Sequence, residues 1–324
     1  MPQAYTHILV GKECLKIVER LKVYNNAELF YLGCMGPDLF SYQNLYTWIK
    51  NRPENQLADK MHNQYCGPFI IDALKYIKGT SKSKNELDQR AVYMMGYLCH
   101  YIMDKTMHPY VFYKTGLSSF YNKKNLETYI YRYSHTMLEM VIDYHMAKKI
   151  EGSDVHKIKV YEYFDVGKSV PSDIKELYNH MFSIYFKDYV SSLSTNLINE
   201  SYKGMKLIWR FIYDPNNMKG RLLKLFNKDY FLYPKAPYEK DYMNINKKIW
   251  YHPCDKNIYS NKSLYELFND AVYQTSVIIN CAIDYLNGDA SIDTLQKLVG
   301  NYSFDTGLDI KKHNQNMEYF DPIY

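Results

Sequence analysis

Histidines and carboxylates at helical spacing are the first chemistry this sequence offers. The stretch Gly96-Tyr-Leu-Cys-His100-Tyr-Ile-Met-Asp104-Lys-Thr-Met-His108-Pro109 sets His100, Asp104 and His108 at steps of four. A helix turns about 100° per residue, so each step rotates about 40° and the three side chains share one side. The outer two α-carbons stand roughly 12 Å apart along the axis. That spread is awkward for three ligands of one ion, and suits two neighbouring ions with Asp104 reaching both from the middle. His135 and Glu139 repeat the step of four, and a neutral nitrogen beside a carboxylate oxygen is a ligand mixture suited to zinc. Upstream, Gly36-Pro37-Asp38 puts a carboxylate in a turn after an apolar run, and His7 and His62 lie beside further helical patterns. Each has a plainer use when taken singly. A His/Asp pair can be an ordinary hydrogen bond, His135 and Glu139 a helix-stabilising pair, Asp38 an Asx-turn or cap, and His7 a cap. The helix around His100 is otherwise strongly apolar, however, and ionisable groups there must be paired, bonded or on metal.

The elements that must hold these residues are helices. Cys14, Leu15, Val18 and Leu21 form one apolar stripe; Leu87, Ala91, Met94, Leu98 and Ile102 form a second. A third helix is expected over 126–150. A fourth, over 173–198, opens with Asp173 and Glu176 at capping-box spacing. A fifth opens with the same device at Ser263 and Glu266 and stops near Gly288. Alternating β patterns bounded by hairpin turns are scarce. The expected fold is all-α, with one multi-helix domain over residues 1–300 and a metal cluster in a cleft between helices. A proline-bearing loop or insertion covers about 226–257, and a polar, weakly periodic tail covers 301–324.

With 47% hydrophobic and 23% charged residues among 324, the chain is long and apolar enough for a real core. Its 40 basic and 35 acidic residues leave +5, less than the dense footprint of a dedicated nucleic-acid binder. No basic or aromatic stripe can be localised, so nucleic acid is an unexpected partner. The six cysteines are scattered with no CxxC pair and read as free thiols of a reducing compartment. The start of the chain carries no secretion signal, and no run of about 18 apolar residues would span a bilayer. The expectation is a cytoplasmic protein.

In their order, these motifs resemble the zinc-dependent phospholipase C family, the bacterial group that includes the clostridial alpha-toxin. That family shows an early His, an Asp in a short loop, a His, His-x3-Asp with a further His, and His-x3-Glu. Here the positions read His7, Asp38, His62, His100 with Asp104, His108, and His135 with Glu139. The resemblance implies up to three zinc ions. Asp38, His62, His100 and Asp104 would hold one; Asp104, His7 and the N-terminal amine and carbonyl a second; His108, His135 and Glu139 the third. It also implies hydrolysis of a phosphodiester, a phospholipid being the leading substrate, and peripheral contact with a membrane.

Three features depart from the family's secreted members. Three residues rather than five separate Asp104 from His108, so the helix must run on almost to Pro109. There is neither a leader nor an N-terminal Trp, and removal of Met1 would leave the Pro2 amine in the missing ligand position. The toxin's calcium-assisted, lipid-binding β-domain has no counterpart. Asp38 is the candidate general base, with pure ligation as the alternative. Tyr5, Tyr42, Tyr46, Trp48 and Tyr65 are candidates either for a pocket wall around an apolar or quaternary-ammonium group or for core packing. The competing functions are a single-strand nuclease-like zinc phosphoesterase and a non-catalytic protein retaining a structural metal site.

Overall fold

Helical periodicity carries through to the three-dimensional structure, a computed structural model that describes residues 4–23, 27–43, 53–81, 87–117, 128–190, 196–225, 232–234 and 240–323. In chain order the described helices are α1 (Ala4–Ile17), α2 (Ala27–Gly33), α3 (Pro53–Asn63), α4 (Cys66–Thr80), α5 (Gln89–Thr115) and α6 (Thr128–Glu151). They continue with α7 (Val160–Tyr163), α8 (Ser172–Tyr185), α9 (Lys187–Val190), α10 (Leu197–Ile212), α11 (Met218–Lys224), α12 (Leu264–Asn287) and α13 (Ile292–Val299). The fold is all-α apart from one antiparallel hairpin, β1 (Trp250–His252) with β2 (Asp255–Ser260). Among the described residues no helix is long and apolar enough to cross a membrane.

Helix α5 is the axis of the molecule. Nearly all of its side chains are buried, as expected of a helix wrapped by others rather than lying on the surface. Asp88 caps its start by accepting the Arg90 N–H. Around it pack α1, α2, α4, α6, α8 and α12. The approach of α2 is set by two glycines: a β-carbon on Gly33 would fall 2.0 Å from the Tyr93 carbonyl oxygen, and one on Gly96 2.0 Å from that of Phe30. Side chains at either position would push the two helices apart.

Several expectations change in detail. Helix α5 does not end near Pro109 but runs six residues further. Pro109 has no N–H for the Lys105 carbonyl, and Gly307 packs directly against that oxygen, where a β-carbon would lie 2.2 Å away. The helix expected over 173–198 is interrupted: α8 ends at Tyr185 because Phe186 leaves helical geometry (φ −136°) to sit buried against Phe69 and Phe182. Its N-cap is Pro171 rather than Asp173, with no side-chain cap. The capping box at Ser263 and Glu266 is present, and Gly288 (φ 94°) closes α12.

The hairpin, within and beyond the segment expected as a loop, had no turn signal strong enough to announce it. Among the described residues beyond Gly300 there is no helix, yet Tyr302 and Asp309 form a β-bridge and Phe304 is fully buried. This segment returns to the middle of α5. Residues 226–231 and 235–239 of the expected insertion lie outside the described residues.

Candidate metal centre

Four helices and one 3-10 segment deliver the eight residues singled out above. Helix α1 brings His7, α3 brings His62 in its last turn, α5 brings His100, Asp104 and His108, and α6 brings His135 and Glu139. Asp38 comes from the 3-10 segment Gly36–Tyr42, which Pro37 opens at its first turn. Gly36 is essential to this entry. Its φ is +49°, and a β-carbon there would fall 2.3 Å from Cδ2 of His100, so only glycine lets the backbone pass beside the imidazole.

All eight side chains meet in one buried cluster around Asp104, which has no solvent exposure. Oδ2 of Asp104 lies 2.9 Å from Nε2 of His100 and 3.7 Å from Nε2 of His62. Its Oδ1 lies 3.3 Å from Nε2 of His7 and 3.6 Å from Nε2 of His108. His62 Nε2 is also 3.2 Å from Oδ1 of Asp38, and His135 Nε2 is 3.0 Å from Oε1 of Glu139. The His7 ring stacks on His100 with centroids 4.1 Å apart. Ligand atoms fall within 4.8 Å of one another in three groups: His7, Asp38 and His100; His62, His100 and Asp104; His108, His135 and Glu139. Asp104 therefore sits between the groups, as its middle place on the helix requires.

The far side of four imidazoles is anchored, which fixes the nitrogen that faces inward. Nδ1 of His62 donates to the Ala58 carbonyl (2.7 Å), that of His100 to Cys34 (3.0 Å) and that of His108 to Phe304 (3.0 Å). For His135 the partner is the Thr115 hydroxyl at 3.1 Å. Thr115 spends its own proton on the Val111 carbonyl, so it accepts from His135. Each Nε2 therefore faces the cluster, the arrangement in which an outer hydrogen bond orients a metal-binding imidazole.

Whether a metal suits these residues is answered by the polar atoms left over. Buried nitrogen and oxygen atoms are normally hydrogen-bonded. Here both ring nitrogens of His7, Nε2 of His100, Nε2 of His108 and both oxygens of Asp104 have no partner of hydrogen-bonding geometry. They converge, and they are the N/O donor set of a zinc site. Electrostatics agree. Burial, aided by neighbouring His100, pushes His7 down to about 3, so its imidazole is neutral. Burial opposes ionisation of Asp104, yet His100, His108 and His7 hold its carboxyl well below the usual range. Glu139 is held low against burial by His135 and His108, and Asp38 by His62 and His100. In the other direction, and again against burial, the facing carboxylates hold His62 well above its ordinary value and His108 at about 9.

Two contributors escaped the sequence reading. Asp143 extends the His135, Glu139 series by another four residues, a signal visible in the spacing. Fully buried on α6, it accepts the Tyr5 and Thr6 N–H groups at 3.2 and 2.8 Å, the Thr6 hydroxyl at 2.5 Å and the Tyr233 hydroxyl at 2.8 Å. It thereby caps the start of α1 from another helix and locks the element that carries His7. A cavity of about 20 Å³, room for one water, lies between Asp143, Thr6, His108 and Glu139.

The second is Phe304, whose N–H donates to the His62 carbonyl at 2.9 Å while its own carbonyl takes the His108 proton. Of the candidate pocket aromatics, Tyr5 and Tyr42 are buried in the core. Tyr65 is about half exposed against Tyr185 and Phe186. Tyr46, Trp48 and the N-terminal amine lie outside the described residues.

A profile described as zinc dependent phospholipase C matches residues 6–188, more than half of the chain and a span holding all eight cluster residues. No curated protein and no solved structure matches the chain. From the profile match, joined to an all-α scaffold that buries a histidine–carboxylate cluster, it follows that this chain belongs to the zinc-dependent phospholipase C family.

Proposed function

We propose that the protein hydrolyses the phosphodiester of a phospholipid, releasing a phosphorylated headgroup. The observation that carries this reading is the convergence of the unsatisfied imidazoles of His7, His100 and His108 on the unsatisfied carboxylate of Asp104. His62, His100, Asp38 and Asp104 would hold one zinc, His7 with Asp104 a second, and His108, His135 and Glu139 a third. Zinc bound there supplies Lewis-acid polarisation of the phosphate and a water whose pKa is brought toward neutrality.

The chain's own residues do the rest. Asp104, ionised and enclosed, keeps the two halves of the cluster at fixed separation. The outer hydrogen bonds to Ala58, Cys34, Phe304 and Thr115 fix four imidazoles so that these need not reorganise as charge develops. Asp38 keeps 9% of its side chain exposed, against none for Asp104 and 4% for Glu139. It is ionised at neutral pH, and its carboxylate would accept the proton of the attacking water.

Zinc stoichiometry of the untagged protein, paired with Asp104→Asn, tests the reading, followed by a panel of phosphatidylcholine and single-stranded DNA. Near three zincs per chain, falling by more than one in the variant, with cleavage of the lipid, is the expected result. One closed zinc or none, unchanged in the variant, leaves a structural metal site and removes the catalytic claim. Cleavage of the nucleic acid alone keeps the metal chemistry and overturns the lipid substrate.

A further inference from the structure

Basic residues gather on one surface segment. Residues 203–225 contain Lys203, Lys206, Arg210, Lys219, Arg221 and Lys224 against the single acid Asp214. This segment of α10 and α11 thus carries a net +5, equal to that of the whole chain, the remaining 34 basic and 34 acidic residues balancing in sum. Asp214 offers the surface nothing: it is buried, accepting the Met218 and Gly220 N–H groups at the start of α11. Asp165 on a neighbouring segment answers Lys206 at 2.5 Å and Arg210 at 3.9 Å. Lys203, Arg221 and Lys224 are exposed and have no acidic partner among the described residues.

The same face is apolar. Leu207 and Phe211 stand one turn apart on the outer side of α10, Met218 and Leu222 on that of α11, and Leu225 directly follows α11; their exposures run from 43% to 78%. The two groups are continuous. Lys219 reaches back to the carbonyls of Arg210, Phe211 and Tyr213, and its ammonium lies 5.4 Å from the Phe211 ring centre. The inner side of α10 is already spent on the protein, with Gly204 against the Tyr42 backbone and Trp209 donating to the Tyr42 hydroxyl. Nothing described covers the outer side.

We propose that this outer face of α10 and α11 is a docking surface for an anionic lipid bilayer. Exposed leucine, methionine and phenylalanine ringed by unpaired Lys and Arg is the composition of a helix that lies in the membrane interface, and clustered basic residues are drawn to anionic headgroups. Tyr42 ends the 3-10 segment that carries Asp38, so the docking helix packs directly on a wall of the metal centre. This deepens the phospholipid reading above, and rests on it, by naming the surface where the protein would meet its substrate.

The protein is tested by sedimentation with vesicles of phosphatidylcholine alone and of equimolar phosphatidylcholine and phosphatidylglycerol, alongside Arg221→Glu/Lys224→Glu and Leu222→Asp/Leu225→Asp. All four positions are exposed, and circular dichroism verifies that the variants fold. Expected are association with the anionic vesicles that weakens with salt, a loss of about thirtyfold or more in the charge variant, and a loss in the leucine variant that salt does not mimic. No association of the wild type with anionic vesicles, or equal association of all three proteins, overturns the proposal. So does capture of single-stranded DNA in place of vesicles.

Hydrolysis of a short-chain phosphatidylcholine kept below its micelle-forming concentration separates the two claims. Equal hydrolysis by all three proteins, with vesicle association lost in the variants, supports docking. Vesicle association without any hydrolysis supports docking and removes the phospholipase reading instead.

Discussion

Replacing Gly36 by alanine places one methyl group against the metal centre from behind. The added β-carbon would lie 2.3 Å from Cδ2 and 2.4 Å from Cγ of His100, where ordinary contact begins at 3.4 Å. The ring, the backbone or both must give by about 1 Å in total. The ring has little freedom: Nδ1 is held by the Cys34 carbonyl at 3.0 Å, and one face is stacked on His7. Disturbance of a ligand's supporting contacts typically lowers metal affinity by about 10- to 100-fold, and an error of about 1 Å costs about 100-fold in rate. The left-handed backbone adds about 1–2 kcal/mol of destabilisation for alanine. Gly152→Ala is the matched control. Its φ is +65° with open space around the β-carbon, so it carries the backbone strain without the collision. Zinc affinity by chelator competition should fall by about 10- to 100-fold in Gly36→Ala and stay near wild type in Gly152→Ala, while urea unfolding of the metal-free proteins registers strain in both. Equal zinc affinities in the two variants would refute the reasoning.

Zinc loading at neutral pH should release about two protons, because His62 and His108 are held protonated by the cluster's carboxylates and must give up those protons to bind metal. Calorimetry in buffers of different ionisation enthalpy measures the number, and zero would contradict the assigned charges. Asp143 predicts a pH slope in the metal-free protein. Burial raises its carboxyl from 3.8 to about 7, so the folded state binds the extra proton between those values. That stability is complete below about pH 4 and is lost as pH rises through about 7. Asp143→Asn should be less stable at pH 5, by about 1–3 kcal/mol for imperfectly matched donors, but should flatten the slope; an unchanged slope in urea titrations would count against this assignment.

What the sequence disclosed of the site follows from how local each signal is. His100, Asp104 and His108 were legible because helical rotation alone puts them on one side, and the helix continues past Pro109 without disturbing that. His135 and Glu139 follow the same rule. His7, Asp38 and His62 were reached only through the order of motifs, since nothing local joins α1, α3 and the 3-10 segment. Phe304 was illegible for a different reason. Its contribution is made largely by its backbone N–H and carbonyl, groups that every residue except proline possesses and no composition reveals. The break at Phe186 likewise depends on a buried aromatic cluster assembled from α4 and α8. The basic face escaped notice because its charges are irregularly spaced in a sequence rich in lysine, and exposure is what joins them to Leu207, Phe211 and Leu222.

The bridge made by Phe304 gives the site a place in time as well as in space. The eight cluster residues are complete by Glu139, but the carbonyl that orients His108 arrives from a segment 196 residues further along. Contacts of such separation form late and slowly. A partly folded chain therefore offers zinc an imidazole whose orientation is still unfixed, and tight uptake waits for the C-terminal segment to settle across α3 and α5. Metal bound to the finished fold stabilises it by mass action, so uptake acts as a ratchet on the last folding step. A zinc-starved protein should open first at 302–310, and amide hydrogens there should exchange with solvent sooner than those of α5.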